Sequence, residues 1–285
     1  MRALWKKAFR EARWLLLAGA LLLIAFLWVR VWMVSQLKTA DFRLILQITR
    51  TFTQRLSPIP LDELASTLGR ISVGFNEPLV VLIMTVWGIG RGSDAVAGEI
   101  GRGTMELLLA QPVRRITLLA TQATTTLLGA AVLALAAWLG MAMGIVTVSL
   151  EDAIHAAELT PGAFNLFALG VFLAGTSTLA SSVARSRGWA ISVMGGLYVY
   201  ATVTKIVARV DPRWEWLGYT SFFTPYEPMV IVLREDRAWR LFSEGAKGEL
   251  LLGGLGQSGI LLGLGVACYL LAAAIFCHRD VPAPV

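Results

Sequence analysis

The chain has 285 residues, of which 56% are hydrophobic and only 15% charged, with a mean hydropathy of +0.67; an ordinary soluble domain carries roughly 25% charge. The formal net charge is +6, but Lys and Arg lie in short segments beside apolar runs, a distribution set by membrane topology, and this excludes a nucleic-acid partner. Cys268 and Cys277 fit no metal-ligand spacing and read as helix-packing residues of an all-α integral membrane protein.

In chain order, Arg2, Lys6, Lys7, Arg10 and Arg13 alternate at helical spacing with Leu4, Trp5, Ala8, Phe9 and Ala12. Two readings stand for residues 1–13. They form an amphipathic interfacial helix on the anionic inner leaflet, with Lys6, Lys7 and Arg10 as anchors, or they are the basic flank of the first span. No small-residue cleavage site follows, so the first apolar run is a retained span. It covers about Trp14 to Val34, and Arg30 near its end can snorkel to the interface beside Trp28 and Trp32.

A long segment, 35–77, leads to the second span, from Pro78 (or Ile71) to about Ile89. The third span covers Ile116 to Val148, longer than a bilayer requires, the fourth Phe164 to Val183, and the fifth Trp189 to Val207. Another long segment, 208–249, contains YTSFFTPYEPMVIVL, Tyr219 to Leu233, broken by Pro225 and Pro228. It is either a hairpin dipping into the outer leaflet or a loop packed over the span ends. The sixth span covers Leu250 to Phe276.

Basic residues set the orientation. In the short segments they crowd the N-terminus, the 91–115 connection, the Arg185-Ser186-Arg187 turn and the C-terminus, whereas the short loop 149–163 has none and carries Glu151, Asp152 and Glu158. The long outer segments 35–77 and 208–249 also carry basic residues but, being long, are weaker determinants of topology. Both termini and segment 91–115 are therefore expected in the cytoplasm.

The spans so bounded contain no Asp, Glu or His, and their only charges, Arg30 and Lys205, lie near span ends. That argues against a proton relay or an ion-coupled antiporter. His155 and His278 lie outside the spans, so the Ser and Thr of GTSTLASS, Gly175 to Ser182, read as packing residues rather than nucleophiles. Glu151, Asp152, His155 and Glu158 have metal-ligand spacing but read as a solvated acidic loop. A phosphate-binding loop is excluded, because none of Lys6, Lys7, Lys38, Lys205 and Lys247 follows a glycine. Gly140 and Gly144, and Gly259 and Gly263, form GxxxG pairs that mark helix contacts within one chain or between two.

The 91–115 connection is richer than a turn. Gly101 and Gly103 break any helix arriving from Ser93, Thr104 suits an N-cap, Glu106 falls in the first turn, and Pro112 ends the element. Met105, Leu108 and Leu109 share an apolar face. Asp94, Glu99 and Glu106 disfavour an anionic lipid surface, so a protein partner is expected, with Arg114 and Arg115 anchoring the third span at the interface.

The pattern E-x3-G-T-x-E-L-L-L-A-x-P-V-x-R, Glu99 through Arg115, resembles the signature of type-2 ATP-binding-cassette (ABC) exporter permeases, which also lies between spans two and three. The six-span layout, the basic N-terminal helix, the broken outer hairpin and the ending FCHRDVPAP, Phe276 to Pro284, are similar as well. The resemblance implies one permease domain over 1–285: six transmembrane helices, an N-terminal interfacial helix, a cytoplasmic coupling helix between spans 2 and 3, and the outer hairpin before span 6. It implies a dimer with a second copy or a similar permease, in the bacterial inner (plasma) membrane. Each permease docks on a cytoplasmic ABC ATPase subunit, which holds ATP and Mg, so this chain has no cofactor and no catalytic residue of its own. By the same resemblance Glu99, Gly103, Thr104, Glu106, Leu107, Leu108 and Pro112 are the coupling residues. The alternative is a non-transporting membrane anchor or signalling subunit of an ABC-like ATPase complex; an embedded enzyme lacks paired catalytic groups.

Overall fold

The computed structural model describes residues 2–36, 60–105, 110, 114–244 and 250–278. Within them are six helices long and apolar enough to cross a membrane. The principal helices are α1 (Arg2–Gln36), α2 (Pro78–Ser93), α3 (Arg115–Thr147), α4 (Thr160–Val183), α5 (Arg187–Val210) and α6 (Gly254–His278). The chain is thus an all-α integral membrane protein, apart from a two-stranded ribbon of β1 (Phe242–Glu244) and β2 (Leu250–Leu252).

The N-terminal segment does not form a helix of its own. α1 runs unbroken through residue 13 for 35 residues, about 52 Å of rise against roughly 30 Å of hydrocarbon. No Gly, Pro or capping residue stands between Arg2 and Leu17 to stop it, so residues 2–13 extend the first span as a basic flank.

α2 is the middle of a longer helical run. A short helix (Thr67–Ser72) and a 3-10 turn (Val73–Asn76) precede it, and Glu77 and Pro78 set its start. It continues past Ile89 through a π turn (Asp94–Gly98) into Glu99–Gly101. The second span is therefore longer than its hydropathy suggests, and Arg91, Asp94 and Glu99 lie on its helical path instead of in a loop. α6 starts later than expected, because Leu250–Leu252 pair with Phe242–Glu244 as an antiparallel strand and Gly253 N–H donates to the Leu241 carbonyl.

α4 sits at the centre: 72% of its apolar window is buried, against 22% in α5 and in α6. It packs most extensively on α6 and α2, while α1 lies along α3. The α1–α3 crossing explains one GxxxG pair. A Cβ on Gly140 would come within 2.7 Å of the Ile24 carbonyl oxygen, and one on Gly144 within 2.5 Å of Val31 Cβ. Only glycine lets these backbones approach so closely. Gly259 and Gly263 meet nothing within 4 Å, so the second pair makes no contact within the described chain.

Ion pairs tie the loops at the end remote from the N-terminus. Arg30 has a carboxylate partner: its Nε lies 2.8 Å from Glu77 Oε1 at the start of α2. Arg70 pairs with Glu151 at 3.3 Å and Thr67 donates to Asp152 at 2.6 Å, so two acids of the loop 149–163 hold structure together. Among the described residues no cluster of His, Cys, Asp and Glu could hold a metal. The segment around Pro225 and Pro228 packs over the ends of α4 and α5. Phe222, Phe223 and Tyr226 are buried, Tyr226 donates to the Phe75 carbonyl at 2.6 Å, and Lys205 and Arg209 converge on Glu227.

Candidate functional site

The connection between α2 and α3 is fastened to the bundle by a buried network at the N-terminal end of the fold. The π turn comes first. An i→i+5 turn displaces the usual backbone partners, leaving polar groups to be satisfied from elsewhere. Ser181 on α4 supplies them: its hydroxyl donates to the Ser93 carbonyl at 2.9 Å and accepts from the N–H groups of Val96 at 3.2 Å and Ala97 at 2.8 Å. One donor and two acceptor sites exhaust a serine hydroxyl. One turn earlier, Ser177 donates to the Ile89 carbonyl at 3.0 Å.

The π turn aims Asp94 and Glu99 at cations from three directions. Glu99 is 1% exposed. Lys7 of α1 reaches both of its carboxylate oxygens, at 2.7 and 2.8 Å, and Arg102 approaches at 3.2 Å. Arg102 also takes Asp94 in a two-point grip at 2.7 and 3.2 Å. That hydrogen bond raises the Arg102 pKa above its already high ordinary value, so this cation is permanent. Arg187, at the start of α5, lies 3.5 Å from Asp94. Arg91 donates to Gln122 of α3 at 2.8 Å and lies 4.0 Å from Glu11 of α1. A buried carboxylate is tolerable only when its oxygens are so engaged.

Gly103 follows with φ +68°, the left-handed region that glycine enters without strain; its N–H closes onto the Ile100 carbonyl at 2.9 Å. The predicted break therefore falls at Gly103 alone, since Gly101 still belongs to the helix. Thr104 is itself helical, not a cap, and its hydroxyl turns back onto the Glu99 carboxylate. Met105 does not project either: it is 1% exposed and packs with Val96, Ile100, Leu118, Ala272 and Phe276. The apolar face expected to meet a partner thus begins with a residue committed to the interior. Arg115 donates to the Phe276 carbonyl at 3.2 Å and stacks over that ring at 5.9 Å, joining the starts of α3 and the end of α6, while Arg114 is exposed at the head of α3.

Of the residues singled out from sequence, the structure brings together Glu99, Gly103, Thr104 and Lys7. Lys6 and Arg10 stay on the outer surface of α1. Glu106, Leu107, Leu108 and Pro112 lie outside the described residues, as do residues 279–285 of the C-terminal tail. Sequence reasoning missed Glu11, Arg91, Asp94, Ser181 and Arg187 as members of the network. One signal was present: Lys7 and Glu11 stand four apart on a helix, 3.8 Å from each other in the fold.

No curated protein matches the chain. Residues 4–281 match the family described as ABC-2 family transporter protein, nearly the whole sequence. With six helices long and apolar enough to cross a membrane and a family match over nearly the whole sequence, the chain belongs to the ABC-2 transporter family and is a multi-pass membrane permease of an ABC transporter.

Proposed function

We propose that the chain is the membrane-spanning subunit of an ATP-driven exporter. A separate cytoplasmic ATPase binds ATP and Mg and supplies the free energy; this chain contributes no ATP site and no catalytic group. It works paired with a second copy or a similar permease in the bacterial inner membrane, with both termini in the cytoplasm. The observation that carries the reading is the fastening of segment 94–105. A displacement there is transmitted to α1 through Lys7, to α2 through the π turn, to α5 through Arg187, and to α3 and α6 through the Met105 cluster. Glu99 then acts as an internal strut that makes the coupling segment stiff, and contact with the ATPase falls to the residues beyond Met105.

The test is co-expression with the cognate ATPase. Glu106→Arg and Leu108→Arg are expected to weaken recovery of the complex at least tenfold. Glu99→Gln is expected to leave assembly intact while lowering transport per ATP hydrolysed. Unchanged assembly and unchanged transport in all three variants would overturn the coupling role. A complex that hydrolyses ATP yet moves no substrate would favour the anchor or signalling reading instead.

A further inference from the structure

The outer face of α1 carries cations that the coupling network does not use. Lys7 turns inward to Glu99, but Lys6, Arg10 and Arg13 stand at i, i+4 and i+7, exposed on one side of the helix. No carboxylate pairs with any of the three among the described residues; Arg13 lies only over the ring of Trp14, at 5.1 Å. Directly beside them runs a groove of about 490 Å³ between α1 and α3. Its rim is Lys6, Arg10 and Arg13, and its floor is apolar, with Leu16 from α1 and Leu128 and Val132 from α3. Phe9 forms one wall. From α3 the groove receives no charge: the polar residue there, Thr125, spends its hydroxyl on the Thr121 carbonyl at 2.9 Å. A second hollow of about 380 Å³, lined by Lys6, Lys7, Arg10 and Glu11, adjoins it; its acid, Glu11, is held by Lys7 at 3.8 Å and Arg91 at 4.0 Å.

From this arrangement we infer a site for one anionic phospholipid. The phosphate sits among Lys6, Arg10 and Arg13, and an acyl chain descends along the floor between α1 and α3. Both halves of the ligand are required by the geometry. A soluble anion would use the cations but leave the apolar floor bare, and a zwitterionic lipid would fill the floor but bring no net charge to three cations. Basic pockets at the ends of transmembrane helices bind acidic headgroups for this reason. The position also gives the lipid a consequence. It would rest on the outer side of the helix turn whose inner side, at Lys7, holds Glu99.

The experiment uses the purified full-length chain in detergent, mixed with phosphatidylglycerol or phosphatidylcholine, and counts retained lipids by native mass spectrometry. Phosphatidylglycerol is expected to be retained over phosphatidylcholine. Arg10→Gln with Lys6→Gln should weaken that retention on the order of tenfold or more, at roughly fivefold per cation removed near a membrane surface. Leu128→Trp, which blocks the floor and keeps every charge, should weaken it as well. Arg213→Gln, which removes a cation at the opposite end, should leave it unchanged and so serves as the control for folding and net charge. Equal retention of the two lipids would overturn the site. Loss with the charge variant but not with Leu128→Trp would overturn it in favour of diffuse attraction. Full displacement by millimolar glycerol phosphate would overturn it in favour of a headgroup-only anion site.

Discussion

At the scale of single residues, Ser181 is a side chain on which a whole buried turn depends. Alanine there would orphan the Ser93 carbonyl and the N–H groups of Val96 and Ala97, all within a buried turn. Each unsatisfied buried group costs about 1–3 kcal/mol, less whatever the turn recovers by reverting to ordinary α geometry. Ser181→Ala is therefore expected to lower the thermal midpoint in detergent and to raise amide exchange over residues 93–101. Thr124→Ala, which removes only an exposed hydroxyl bonded to the Ala120 carbonyl at 2.8 Å, should do neither. Gly129 is a second sensitive position: a Cβ there would fall 1.9 Å from the Trp87 ring. Trp87 is buried and donates to the Thr126 carbonyl at 2.9 Å, so it cannot swing away freely. Gly129→Ala should destabilise by about 1–3 kcal/mol, the ordinary cost of overpacking, read as a fall in thermal midpoint. Neither role was legible in the sequence. A serine in an apolar helix normally bonds its own i−4 carbonyl, and the partner turn of Ser181 lies more than eighty residues away in the chain. By contrast Gly103 was legible, because its left-handed φ is a local property that glycine announces.

Among the elements, the connection from Asp94 to Met105 ties α1 to the end of α2. Lys7 and Glu99 are its joint, and they are unequal: Lys7 is one-third exposed, Glu99 almost not at all. Removing the cation leaves Glu99 with Arg102 and Thr104, whereas removing the acid leaves Lys7 free to reach water. A double-mutant cycle of Lys7→Gln and Glu99→Gln should therefore show a coupling of about 1–3 kcal/mol in thermal stability, below that of a fully buried pair. Additive effects would mean that the Lys7–Glu99 pair does not couple the two helices. The elements themselves were visible in hydropathy, because an apolar run of membrane length permits little but a helix. Their ends were not. Hydropathy falls at Gly90 to Ser93, yet the helix continues, since the serines of α4 and the cations around Asp94 and Glu99 make a polar helical path affordable. The start of α6 was misplaced for the opposite reason: Leu250–Leu252 are apolar enough for a span, but strand pairing and Gly253 claim them. The interior position of Met105 depends on Phe276, at the far end of the chain, and no local pattern encodes it.

For the whole molecule, charge asymmetry and the fold make one joint demand. Among the short segments, Lys and Arg gather at the end that holds the N-terminus, segment 94–105 and the start of α5, while the opposite loop between α3 and α4 presents Glu151, Asp152 and Glu158. The long segments 35–77 and 208–249 also carry Lys and Arg but are weaker determinants of topology. The acids alone would be weak evidence, because topology follows cations in short loops rather than net charge. Two of them, moreover, are engaged with Arg70 and Thr67, which ties them to structure as well as to solvent. The cations at the other end are also in part structural: Lys7, Arg91 and Arg102 serve Glu11, Asp94 and Glu99. The orientation expected from the short segments therefore rests on the cations that the fold leaves at the surface there, Lys6, Arg10, Arg13, Arg114 and Arg185, while the exposed Arg213 and Arg240 at the opposite end lie in a long segment and weigh less. Labelling can separate the two directions. With Cys268 and Cys277 replaced by alanine, a cysteine at the exposed Ala157 should react with a membrane-impermeant maleimide in intact cells, and one at the exposed Ala110 only after permeabilisation. The reverse pattern would put segment 94–105 outside the cell. No cytoplasmic ATPase could then reach it, and the buried joint at Glu99 would be a brace for the bundle without a mechanical role in transport.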